Sequence, residues 1–192
     1  MTPDQVGHLV WVSGIAHGLA LVSVLLLFLG ACGLTRALAG PDRMAFSALV
    51  TFGFAAVAIM IAASVSGWIV PDTMQLMARD VTTNGGNQSD WRIAIAALFQ
   101  INQAMSRIYS VGAAAAITLW SVCCLHTRRL SQGMAIFGCI VSPLVALLIF
   151  VGHLRLDVHG MAAVLLTEVV WFVGMALALR RADATVSPVA EA

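Results

Sequence analysis

The chain is a succession of long apolar runs separated by short polar clusters. A helical membrane span needs about 20 mostly apolar residues, and five stretches meet that requirement: Leu9 to Leu34, Met44 to Val70, a third within Trp91 to Leu125, Met134 to Gly152, and Val158 to Leu179. The runs are continuously apolar and do not alternate with period 2, which excludes the strands of a membrane barrel. The pattern predicts an all-α integral membrane bundle of five transmembrane helices. It forms one domain over residues 1–181, followed by a small polar tail, "ADATVSPVAEA", at 182–192.

Composition supports lipid as the solvent. Of 192 residues, 60% are hydrophobic and 10% charged, against about 25% charged in a soluble domain. The mean hydropathy is +0.95. A net charge of +1 provides no field that would draw nucleic acid.

Orientation follows from the arginines, since the chain has no lysine. Arg36 and Arg43, then Arg128 and Arg129, then Arg180 and Arg181 flank alternate connections. The positive-inside rule therefore places the N-terminus outside and the C-terminus in the cytoplasm. The cysteines agree: Cys32, Cys123 and Cys124 fall at cytoplasmic span ends and Cys139 lies within the fourth span. No outer cysteine pair is available for thiol oxidation. "LGAC", Leu29 to Cys32, looks like a lipoprotein cleavage box, but the segment before it has Asp4 and no basic residue. It is read as a span.

The one long connection, "PDTMQLMARDVTTNGGNQSD" at 71–90, is open to two readings. Pro71 suits a helix start, which would give a short helix lying in the interface; the other reading is a plain solvated loop. Trp11, Trp68 and Trp91 near outer span ends read as an interfacial belt.

Candidate chemistry concentrates in the third span. "FQINQAMSRIYS" puts Gln103, Arg107 and Ser110 on one stripe, with Gln100 beside it. Asn102, Ser106 and Tyr109 make a second stripe. Such a wedge must face protein or water. Arg107 either snorkels at the outer interface, with residues 91–104 projecting, or lies deep and needs a partner. Glu168, about 16 Å into the fifth span, is the obvious partner for a deep Arg107. His17, between Gly14 and Gly18, faces a neighbouring helix through a small-xxx-small pattern.

"VGHLRLDVHG", 151–160, carries polar residues at every second position. In an extended chain His153, Arg155, Asp157 and His159 share a face. A metal is not favoured, because the zinc-helix spacing of histidines is absent; if one binds, His153, Asp157 and His159 are its ligands, with His8 as another possible donor. Haem would need a second histidine facing His17, which the other spans lack. No cofactor is predicted.

"SRIYSVGAAAAITLWSVCCL" and "VGHLRLDVHGMAAVLLTEVVWFVGMALALRR" resemble the C-terminal half of a group of bacterial multi-pass membrane proteins of unknown function. The shared elements are Arg107, Tyr109, Trp120, the histidine-bearing turn, and Trp171 before the terminal arginine pair. The resemblance implies a bacterial inner-membrane protein and assigns no site residue.

The expected function is non-catalytic: small-molecule binding, transport-like, or an accessory subunit of a membrane complex. An outward-facing pocket lined by Gln100, Gln103, Arg107, Glu168 and His17 would take a small amphipathic ligand, with an anionic headgroup suited to Arg107. Lipid and other membrane subunits are the expected partners. The competing class is an intramembrane enzyme using Glu168 and histidines for acid–base or metal chemistry.

Overall fold

A computed structural model describes residues 3–38, 43–83, 86–128 and 130–186, and every regular element among them is helical. The helices are α1 (Pro3–Leu38), α2 (Met44–Ser64), α3 (Val70–Thr83), α4 (Gln88–Thr127), α5 (Gln132–Phe150) and α6 (Val158–Val186), with a π-helical turn at Val65–Ile69. Five of the resulting rods are long and apolar enough to cross a membrane, so the chain is a polytopic membrane protein. Large apolar side chains such as Leu19, Leu26, Phe54, Ile140, Phe150 and Leu166 lie exposed. In water that surface would be costly; against acyl chains it is the expected exterior.

Pro71 does not begin a new helix. The helix is unbroken over residues 44–83, apolar as far as Val70 and carrying Asp72, Arg79 and Asp80 beyond it, and the wide turn at Val65–Ile69 ends one residue before Val70, the proline's neighbour. A proline ring collides with the carbonyl four residues back and offers that carbonyl no N–H. One wide turn relieves the conflict: the Val70 N–H bonds to the Val65 carbonyl, five residues earlier, and the helix runs on to Thr83. The segment at 71–90 is therefore mostly helix. Asn84 and Gly85 of its "NGG" lie outside the described residues. Trp91 on α4 donates its indole N–H to Asp80 Oδ2 at 3.0 Å.

Helix α4 has 40 residues and is about 60 Å long. It outruns the ~30 Å hydrocarbon core even when tilted. At its far end Arg128 adopts φ 51° and ends the helix; Arg129 lies outside the described residues. Helix α6 continues into the expected polar tail as far as Val186, and residues 187–192 lie outside the described ones.

The chain divides into two compact units: Met1–Leu26 with Ala56–Ile108, and Leu27–Ala55 with Tyr109–Ala192. In the first unit the π turn presents Gly67 to α1, where a Cβ would collide with Cβ and Cγ of His17. Gly14 faces the Trp68 indole. The glycine that permits the close approach is thus Gly67, not the Gly14/Gly18 pair: Gly14 meets only the Trp68 side chain, and nothing lies within 4 Å of a Cβ placed at Gly18.

In the second unit aromatic side chains fill the core. Trp120 and Trp171 stack with centroids 6.0 Å apart, and Phe52 and Phe172 pack against them at 5.1–6.0 Å. Gly112 lies against Ala55, bringing α4 and α2 together. Gly138 on α5 leaves room for Ser121 and Trp171, both of which an added Cβ would strike.

The turn between α5 and α6 is built by two caps. Gly152 takes φ +76°, while the N–H groups of Gly152 and His153 bond to the carbonyls of Ile149 and Leu148, a Schellman ending. Asp157 then caps α6, its Oδ1 accepting from the Gly160 N–H at 2.9 Å. Leu156 is buried with Ile149 and Val164, whereas His153, Arg155, Asp157 and His159 are all exposed. The alternation seen in the sequence is thus an extended turn with its leucines inward.

Candidate functional site: a buried carboxyl between two helices

On α6, Val164, Glu168, Trp171 and Met175 are the buried positions of one stripe, at the i, i+4, i+7, i+11 spacing of a helix seam. Glu168 is therefore carried into the protein by three large apolar neighbours that cannot leave it outside. On α4, Tyr109, Ala113, Ile117, Trp120 and Cys124 form a similar buried stripe. The two seams place Tyr109 opposite Glu168.

Glu168 is 6% exposed. Tyr109 donates its hydroxyl hydrogen to Glu168 Oε2. The other carboxyl oxygen, Oε1, is buried and has no hydrogen-bond partner. One turn further along α6, the Trp171 indole N–H donates to Ser121 Oγ at 3.1 Å. The Trp120 indole donates to Thr35 Oγ1 at 3.0 Å. Both ring donors are consumed, and they hold the aromatic core in a single packing.

Among the residues expected to line a pocket, Glu168 alone sits in this buried constellation. Gln100 and Arg107 are exposed, and Gln103 and His17 are half-buried. His17 Nδ1 lies 2.8 Å from the Ser13 carbonyl of its own helix, where the N–H tautomer donates to it. The pairing of Arg107 with Glu168 is corrected: the carboxyl is bonded to Tyr109, and Arg107 points elsewhere. Two residues along a helix turn the side chain by about 200°. With Tyr109 committed to the protein interior, Arg107 is directed away from it.

Tyr109 was legible only in part. It belongs to the second polar stripe of the third span, beside Ser106, yet the arginine was the more conspicuous partner for a carboxylate. Ser121 and Thr35 carried no sequence signal, being single hydroxyls in apolar runs.

At the α5–α6 turn, Asp157 is engaged as a helix cap. Its carboxyl is held below the usual range, first by the Gly160 backbone N–H and further by the His159 backbone N–H and the nearby His159 and Arg155 charges. Among the described residues, no three His, Cys, Asp or Glu side chains lie close enough to hold a metal. The side chain of His8 lies outside the described residues. Cys123 and Cys124 are buried, and the described cysteines are free thiols.

No family model, curated protein or solved structure matches this chain.

Proposed function

We propose that this polytopic protein is a small-molecule binding, transport-like protein of a bacterial inner membrane, and that Glu168 is its ligand-engaging group. The observation that carries this reading is the unpartnered Oε1 of a buried carboxyl. A buried acceptor left without a donor costs about 1–3 kcal/mol. Packing that retains such a group has a reason to keep it, and a ligand donor would recover the cost on binding. Tyr109 fixes the carboxyl from its other oxygen, so Oε1 is oriented before the ligand arrives. The orientation proposed, N-terminus outside, rests on the arginines at alternate connections.

An acid–base enzyme is the poorer fit. The hydrogen-bond partner of Glu168 is a phenol already spent as a donor, and the histidines of the α5–α6 turn are exposed.

The test is a binding screen by thermal shift on protein in lipid nanodiscs, using small amines, alcohols and carboxylates. At least one chemical class should raise the Tm of the wild type and leave Glu168→Gln unmoved. If no class shifts the wild type, or both proteins shift alike, the proposal fails.

A further inference from the structure

We infer that the Glu168 site takes a cationic hydrogen-bond donor, a protonated primary or secondary amine with an apolar body, and refuses anions. This rests on the binding reading above and names the ligand class of the same site.

The inventory of donors and acceptors decides the polarity. Glu168 offers Oε1 as a buried acceptor without a partner. Tyr109 has given its one hydrogen to Oε2, so its oxygen retains only acceptor capacity. The two indole N–H groups nearest along the seams are spent on Ser121 and Thr35. What the constellation presents to a ligand is therefore a carboxyl oxygen and a phenol oxygen, both asking for hydrogens. An alkylammonium supplies two or three N–H donors and the counter-charge with which the carboxyl can ionise inside the span; a carboxylate or phosphate supplies neither.

The charges of the same unit point the same way. The chain has no lysine, and the described arginines of this unit (Arg36, Arg43, Arg128, Arg155, Arg180 and Arg181) are all exposed. Each lies at a helix end or in a connection. An anion entering beside Glu168 would have no counter-charge within the span, where an uncompensated ion is costly. The expectation of an anionic headgroup depended on Arg107, and Arg107 is not at this carboxyl. The body of the ligand would meet apolar and aromatic surface, since Val164, Trp171 and Phe172 flank Glu168 on α6 one turn either side.

Three isosteric probes test this on the wild-type protein in nanodiscs: phenethylamine, 2-phenylethanol and phenylacetate at pH 7, with sodium and potassium chloride as further arms. Phenethylamine should raise the Tm and bind at least tenfold more tightly than 2-phenylethanol, with phenylacetate giving no shift. Glu168→Gln should lose at least tenfold in amine affinity. A shift from the alcohol or the carboxylate equal to that from the amine overturns the inference while leaving a binding function standing. An equal response to sodium or potassium alone also overturns it, because the site would then be an alkali-metal site. No response to any probe or to the wider screen would sink the binding function itself. The probe series uses unaltered protein, so it decides the question even if Glu168→Gln fails to fold.

Discussion

Tyr109 and Glu168, 59 positions apart in the chain, meet through the phenol hydroxyl and one carboxyl oxygen, while Arg107, two residues before the tyrosine, is exposed. This one relationship fixes which face of α4 meets α6 and removes the only basic residue of the third span's polar wedge from the buried carboxyl.

Removing the hydroxyl alone should be harmful. Tyr109→Phe leaves both oxygens of a buried carboxyl without a donor, at a cost of about 1–3 kcal/mol. Tyr109→Phe combined with Glu168→Leu removes both polar groups and should recover much of that loss. Denaturant unfolding of the two single variants and the double variant in mixed micelles measures the coupling; additive effects would mean that the bond contributes nothing.

Arg107→Gln should change stability by no more than about 0.5 kcal/mol, as for other exposed substitutions. A loss of several kcal/mol in the same unfolding assay would reinstate a buried ion pair for this arginine.

Gly67→Ala should destabilise the first unit by about 1–3 kcal/mol through overpacking, because the new methyl strikes the His17 ring. The nearest atom struck is His17 Cβ, which only glycine removes, so Gly67→Ala should cost less in a His17→Gly background than in the wild type. Comparing Tm values of the purified variants checks this, and an equal cost in both backgrounds would place the clash elsewhere.

Gly138→Ala should disturb the aromatic core, since its methyl meets both Ser121 and Trp171. The expected result is a lower Tm together with altered near-UV circular dichroism from the Trp120–Trp171 stack. An unchanged spectrum would count against that packing.

The α5–α6 turn should show an acid-sensitive cap. The folded-state pKa of Asp157 lies below its unfolded value of 3.8. The charged cap therefore contributes stability that is fully present above the unfolded pKa and is lost as pH falls through the lower folded one. Asp157→Ala should lower Tm at pH 6, Asp157→Asn less so because its side-chain oxygen can still cap. The gap between wild type and Asp157→Ala should narrow as pH drops below about 3.8, the unfolded value. A gap that holds constant to pH 2 would show that the charge plays no part.

How far the fold could be read in advance differs from element to element. Continuous apolar runs of membrane-spanning length allow few structures other than helices, because a backbone in lipid must satisfy its own hydrogen bonds. The five spans and the helical class follow from that alone; the close approach at His17 does not, because it is made by Gly67 and not by Gly14 or Gly18. The alternation in 151–160 already put His153, Arg155, Asp157 and His159 on one face, and Gly152 and Asp157 are residue types that end and begin helices. Pro71 marks the start of α3 to within one residue, but its local signal is the same whether a helix begins afresh there or an existing one runs on through a wide turn. The choice was made by the π turn.

The partner of Glu168 is the sharper case. Sequence alone determined that a carboxyl sits on an apolar helix at depth and must be answered by something. It did not determine by what, because that depends on the rotation of α4 about its own axis, and a rotation of about 200° exchanges Arg107 for Tyr109. The tertiary structure sets that rotation through residues with no polar signal: Ala113, Ile117 and Trp120 must be buried, and the tyrosine on their stripe is carried in with them.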